Sequence, residues 1–402
     1  MKWEKVKLGE LYEVHNGLSK AGKFFGEGYP FLTFSTVFNN YFIPKQITDL
    51  VQSTEKEQES YSIRRGDVFV TRTSETSDEL GMSCVALKDY PMATYNGFTK
   101  RMRPITNRVF PEYIGYYMRL PSFRSEFRAF STMTTRASLR NEDLLGLEVK
   151  LPSIEIQKQI ADILSAYDDL IENNQKQIKL LEEAAQRLYK EWFVDLRFPG
   201  HENTKIVDGV PEGWQWCKVR DVADINSSAL PKNYKEDFID YVDLGSVRCG
   251  HIETRARYNL NEAPGRAKRC AKDGDIIWGM VRPNLKAYAL VTNPKETDVF
   301  STGFAVLSAK KVPYSYLYCA VTQEEFVGYL VNATNGAAYP AVKPVHFEVA
   351  DILKPDDKVL EQFHSVADSI YRKKEALENQ NHNLRESRDL ILPKLMSGEV
   401  EV

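Results

Sequence analysis

Two short stretches of this chain carry residue types that could do chemistry. Gly17-Leu-Ser-Lys-Ala-Gly22-Lys23 has the glycines and lysine of a phosphate-binding loop. Such a loop ends on Ser or Thr, whose hydroxyl reaches magnesium, and then opens a helix. Here Phe24 holds that position, and Phe25-Gly-Glu-Gly-Tyr-Pro30 is a poor helix start. Asp143 with Glu148-Val-Lys150 supplies the acids and lysine of a metal-dependent nuclease. His15, His201, His251, His346, His364 and His382 are scattered and indicate no acid–base pair. No Gly-x-Ser-x-Gly elbow occurs, nor the Asn/Asp-Pro-Pro-aromatic motif of an amino-methyltransferase. Cys84, Cys217, Cys249, Cys270 and Cys319 form no close pair, which suits reduced thiols in the cytoplasm and gives no zinc-ligand spacing.

The elements around these residues explain why they are discounted. The chain is written twice. Ile160, Leu164, Tyr167, Ile171, Asn174, Ile178, Leu181, Ala185, Leu188 and Trp192 recur at steps of four and three. Phe363, Ala367, Ile370, Lys374, Leu377, Asn381, Leu384, Arg388, Ile391 and Leu395 repeat that pattern 203 positions later. This is a heptad seam, sustained twice. The duplication serves as a control: Glu148 and Lys150 are answered by Asp351 and Leu353, so the lysine is missing where the fold is kept. The pair therefore reads as the outward face of a strand. The phosphate-loop pattern has no echo in the second copy either.

Each copy consists of an arm and a helix. The first arm opens at Trp3 and the second at Trp214. Mid-arm, Arg65-Gly-Asp-Val-Phe-Val-Thr-Arg72 answers Asp273-Gly-Asp-Ile-Ile-Trp-Gly279, a turn feeding a buried strand. Asn96-Gly-Phe98 answers Thr302-Gly-Phe304, and amphipathic helical stretches follow near 111–130 and 313–331. Short strands broken by Gly, Pro and Asn predict α+β arms. After Pro152, Ser153 can cap a periodic run of about 40 residues, roughly 60 Å as a straight helix. It stops before Phe198-Pro199-Gly200, and 199–213 reads as a linker. The second helix starts after Pro355 and is expected to break near Pro393, with Gly398-Glu-Val-Glu-Val402 adding a short strand. The polar seam residues Asn174, Lys374, Asn381 and Arg388 cost stability but fix register. The two helices are expected to pair with each other, antiparallel, in an internal pseudo-twofold arrangement.

Composition sets the class. With 43% apolar and 27% charged residues the chain can build real cores. No run of 18 apolar residues spans a bilayer, and Met1-Lys-Trp-Glu-Lys-Val lacks the apolar core of a signal peptide. The net charge of −3 hides a segregation. Residues 100–140 hold nine basic residues against Glu112 and Glu126, and 248–286 hold nine against four acids. Both helical stretches are net acidic. Basic arms at matching places suit contact with a phosphate backbone.

The stretches Leu151-Pro-Ser-Ile-Glu-Ile-Gln-Lys-Gln-Ile-Ala-Asp-Ile-Leu164, Glu183-Ala-Ala-Gln-Arg-Leu-Tyr-Lys-Glu-Trp-Phe-Val-Asp195, Pro211-Glu-Gly-Trp214 and Leu392-Pro-Lys-Leu-Met-Ser-Gly-Glu-Val400 resemble the specificity (S) subunit of type I restriction–modification systems. The resemblance runs the whole length, strongly in the helices and only in skeleton in the arms. It implies target-recognition domain 1 over 1–150, a long helix over 151–198, a linker and target-recognition domain 2 over 199–355, and a second helix with a tail over 356–402. The fold it implies is α+β: two similar α/β target-recognition domains separated by two long helices in an antiparallel coiled coil.

The resemblance also implies a non-catalytic chain. Each arm would read one half of a bipartite, asymmetric double-stranded DNA target. The helices would set the gap and dock two methyltransferase (M) subunits. Those subunits would bind S-adenosylmethionine and methylate adenine, while restriction (R) subunits would cleave using ATP and Mg. No cofactor and no membrane are expected for this chain, and its place is cytoplasmic. The other reading is a coiled-coil structural adaptor without DNA readout. Polar residues after the Gly-Asp strand and before the closing strand are the expected DNA contacts: Arg72, Arg101, Arg136, Ser138 and Arg140 in the first arm, and Arg282, Asn284, Asn335, Tyr339 and Lys343 in the second.

Overall fold

The structure, a computed structural model, describes residues 3–74, 80–129, 137–334 and 340–402, without the side chains of Ser74, Arg128, Ala129, Ala137 and Ser138. It divides into two compact units, Met1–Asn173 with Asn381–Val402, and Asn174–Gln380. Both boundaries fall inside the long helices, Ile154–Tyr189 and Asp357–Ser397.

Unit one is built on an antiparallel sheet in the order Tyr12–Asn16, Thr99–Pro104, Val68–Thr71, Ser83–Val85. A second, smaller sheet pairs Phe25–Leu32 with Leu50–Val51 and, in parallel, with Thr94–Tyr95. The opening strand Glu4–Lys7 pairs with the closing strand Glu148–Leu151, so the arm is shut at its base. Unit two repeats this plan. Its first sheet runs Ala223–Ile225, Phe304–Ala309, Ile276–Gly279, Tyr288–Leu290. Its second contains the parallel pair Phe238–Val242 and Asp298–Ser301. Gln215–Lys218 pairs with the closing strand Asp351–Lys354.

The Gly-Asp motif does the same work in both units. Gly66 and Gly274 take φ of +88° and +83°, a left-handed turn that favours glycine. The next carboxylate folds back on its own turn: Asp67 accepts the Arg64 backbone N–H and Asp275 that of Lys272, both at 2.8 Å. The strands that follow, Val68–Thr71 and Ile276–Gly279, are buried throughout. The compensation of the two carboxylates differs. In unit one Arg103 clamps Asp67 at 2.8 and 2.6 Å. Strand register puts Ser308 at that place in unit two, and burial pushes the Asp275 carboxyl up.

The register also corrects one expected correspondence. Thr99 faces Thr71, and Phe304 faces Gly279. Phe304 is therefore the counterpart of Thr99, and Phe98 that of Gly303. Backbone bonds agree: the Arg72 N–H donates to the Phe98 carbonyl and the Met280 N–H to that of Gly303. A one-residue slip turns a side chain to the other face. Phe304 is accordingly fully buried, whereas Phe98 is 57% exposed.

The long helices pair antiparallel. In unit two, Asn174 donates to Gln380 at 3.1 Å, Glu182 meets Lys374 at 2.8 Å, and Tyr189 packs on Phe363. In unit one, Asp168 holds Arg388, and Ile160 and Leu164 share a core with Leu392 and Leu395. Asn174, Lys374 and Asn381 are buried, as polar seam residues must be to specify register. Repeated tyrosines tie each arm to its closing strand: Tyr113 donates to the Lys150 carbonyl, and Tyr316 to that of Leu353.

Two expectations about the C-terminus are overturned. The second helix continues through Pro393 to Ser397. Leu392, Leu395 and Met396 are buried in the unit-one core. Each contributes about 1.5–3 kcal/mol, which outweighs the roughly 3 kcal/mol cost of an interior proline. Residues 398–402 form no strand; Gly398 takes φ +78° and lies so close to the Trp3 indole that a Cβ would clash.

Candidate nucleic-acid interface

In each unit the segment that leaves the Gly-Asp strand meets the segment that leads to the closing strand. In unit one Thr73–Ser74 pairs with Ala137–Ser138, and the Leu139 N–H donates to the Arg72 carbonyl at 2.9 Å. In unit two Val281 bridges Ala341, the Arg282 N–H donates to the Pro340 carbonyl, and the Val342 N–H to that of Met280, both at 2.8 Å. A paired edge thus recurs at matching places, and the sequence distance between its two sides hides it.

This edge brings several expected residues together. Arg72 lies on it, with its guanidinium 3.5 Å from the Asn16 side-chain oxygen. Arg140 heads the helix Asn141–Gly146, and Lys343 heads Pro344–Glu348 at the corresponding place in the repeat. Both are exposed. Arg140 reaches Asp143 at 2.8 and 3.1 Å, which holds the Asp143 carboxyl below the usual range. Arg282 and Asn284 are exposed on a turn whose ends, Arg282 and Lys286, are left-handed at φ +49° and +53°. Non-glycine residues pay for that conformation and are kept there by their surroundings. The Lys286 carbonyl accepts the Cys249 N–H at 2.9 Å, and its amine pairs with Glu324.

Arg101 is a correction. It is 3% exposed and donates to the Ser62 carbonyl, with Tyr95 beneath its guanidinium. Arg136, Asn335 and Tyr339 lie outside the described residues, as does the side chain of Ser138. Asn16 and Phe98 also lie beside Arg72, and neither was among the expected contacts. Lys100 is 6% exposed against Asn141, and burial together with the charge of Arg72 lowers its pKa. No alternation signals this, because residues 99–102 are all buried and both faces of the strand are covered there.

The basic clusters read from the sequence are also recast. Arg103 is spent on Asp67, Arg108 on Glu4, and Arg119 on the carbonyls of Val37, Phe38, Asn40 and Ser83. Burial lowers the Arg119 pKa to about 10. In unit two Arg248 pairs with Glu253, Arg255 with Asp298 and Arg257 with Asp240. These cations mainly brace the arms.

The discounted chemistry stays discounted. Gly22–Phe24 is one helical turn that runs into the strand Phe25–Leu32, with Lys23 over the Phe24 ring. Glu148 and Lys150 lie on the outward face of the closing strand, where Glu148 pairs with Lys5 at 3.7 Å. No helix among the described residues is long and apolar enough to cross a membrane.

Known proteins share this organisation. Residues 1–183 match the family model of the type I restriction modification DNA specificity domain. The whole chain is 26% identical to the type I restriction enzyme MjaIX specificity subunit of Methanocaldococcus jannaschii, covering 94% of it. It is 21% identical to the HindI specificity subunit of Haemophilus influenzae over 99% of each chain. The fold is similar to that of the type I restriction–modification S subunit from M. genitalium, with a TM-score of 0.57 over 98% of this chain and 96% of that one, at 14% identity. Residues 1–183 thus carry the specificity-domain pattern, and over its whole length the chain is similar to type I restriction–modification specificity subunits.

Proposed function

We propose that each arm of this DNA-specificity chain reads one half of a bipartite, asymmetric double-stranded target through its paired edge. The observation that carries this reading is the edge itself. Its backbone recurs in both units, while the side chains it offers differ: Arg72 against Met280, Arg140 against Lys343, Phe98 against Gly303. A constant frame with variable base-facing groups suits two different half-sites. Arg140 and Lys343 position the backbone, while Arg72, Arg282 and Asn284 face bases. Arg136, Ser138, Asn335 and Tyr339, which lie close in sequence to these edges, are proposed with them. The long helices set the gap between half-sites and dock two M subunits.

The chain itself is non-catalytic and binds no cofactor in this reading. S-adenosylmethionine belongs to M subunits that methylate adenine, and ATP and magnesium to R subunits that cleave, all in the cytoplasm. Methylome sequencing with and without the gene tests it. A split adenine-methylated motif dependent on the gene is expected; an unchanged methylome refutes the reading and favours a structural adaptor. Inserting seven residues into the helix after Pro152 should change the gap and leave both half-sites intact. Altered half-sites with the old gap would rule out the spacer role.

A further inference from the structure

We propose that each arm projects one apolar side chain beside its paired edge, Phe98 in unit one and Leu285 in unit two, to contact the 5-methyl group of thymine. The inference rests on the reading that these edges face DNA bases, and it assigns two residues that the polar inventory leaves out.

Isolated exposed apolar residues are common on proteins, so exposure alone decides nothing. Position and rigidity single these two out. Phe98 is 57% and Leu285 59% exposed, one in each unit. The Phe98 carbonyl accepts the Arg72 N–H at 3.0 Å, which places Phe98 directly against the edge. Its own N–H is held by the Asn96 side-chain oxygen at 2.7 Å. Gly97 beside it packs so closely on Leu18 and Ser19 that a Cβ there would clash. Leu285 donates its N–H to the Arg282 carbonyl at 2.8 Å, inside the turn bounded by left-handed Arg282 and Lys286. Both side chains are therefore presented by fixed backbone.

The repeat shows that the feature is placed twice by different means. Gly303 stands where unit one has Phe98. Unit two supplies Leu285 from the neighbouring turn instead. The adjacent groups name the ligand. In the major groove an A·T pair shows an adenine donor–acceptor set that an amide can bridge, next to the thymine methyl. Asn284 and Leu285 are an amide and an aliphatic group in consecutive exposed positions. An apolar contact also discriminates where a charged residue would bind any phosphate.

The test uses the full chain assembled with its methyltransferase partner and duplexes carrying its methylated target. Each thymine of the two half-sites is replaced singly by deoxyuridine, which removes only the methyl group. In each half-site at least one replacement should weaken binding about fourfold, the worth of one methyl-sized apolar group kept from water. Phe98→Ser should abolish that loss in one half-site only, and Leu285→Ser in the other only. Leu285→Met should retain it. A target in which no thymine responds, or a loss that survives both serine variants undiminished, overturns the proposal. If the target is still preferred over scrambled duplex, only the methyl contact has failed. If that preference is absent, the reading of the edges has failed with it.

Discussion

Asp67→Asn is expected to change the stability of the first arm far more than Asp275→Asn changes that of the second. The two carboxylates hold the same turn, but only Asp67 faces a guanidinium. Its side chain is fully buried and that of Arg103 is 17% exposed. Removing one partner of a buried pair costs about 3–5 kcal/mol, because the other charge stays desolvated. Arg103 keeps the Ser62 carbonyl at 2.9 Å and a little water. The lower end, about 3 kcal/mol, is therefore expected, roughly a hundredfold rise in local opening. Asp275→Asn weakens bonds from the Lys272 N–H and Ser308 but relieves a buried acid that faces no guanidinium, so its effect should stay within about 1 kcal/mol. Hydrogen exchange of the amides of Val68–Thr71 and Ile276–Gly279 reads each arm separately, which a whole-chain melt of two units does not. Equal shifts in the two arms would refute the claim that Arg103 makes the difference.

Three further outcomes follow from the same contacts. Asp275 has a folded pKa raised by burial, so its contribution is fully present below the unfolded value and is lost as pH rises. Asp275→Asn should therefore gain stability relative to the parent as pH rises from 4 to 7 in urea titrations followed by tryptophan fluorescence; four of the five tryptophans lie in unit two. The His251 pKa is raised to about 9 by hydrogen bonds to Glu182 and Glu378, against Lys374. Its contribution is present below about 6.5 and is lost as pH climbs through the raised value, so His251→Gln should flatten the alkaline loss seen in the same titrations. Lys343→Ala should weaken binding to all sequences alike and reduce the slope of log K against log salt by about one; a selective loss for one base pair would contradict a phosphate role.

The duplication, the seam and the Gly-Asp turns are legible without coordinates because each is a short-range pattern. A heptad needs only residues three and four apart, and a left-handed turn needs only a glycine before its capping aspartate. Asn174, Lys374 and Asn381 could be read as seam residues for this reason. The sequence positions of Arg72, Arg140, Arg282, Asn284 and Lys343 in the repeat put them beside the paired edges. Arg101 was misplaced because a count of basic residues does not show that both faces of its strand are covered at 99–102.

The sequence by itself determined the repeat and the pairing of two polar-seamed helices. Tertiary structure alone decided which cations are spent on Asp67, Asp240 and backbone carbonyls, and the one-residue register that buries Phe304 while exposing Phe98. It also decided that burial of Leu395 and Met396 carries the helix past Pro393. Each of these depends on energies between residues far apart in the chain, and local patterns carry no information about such contacts.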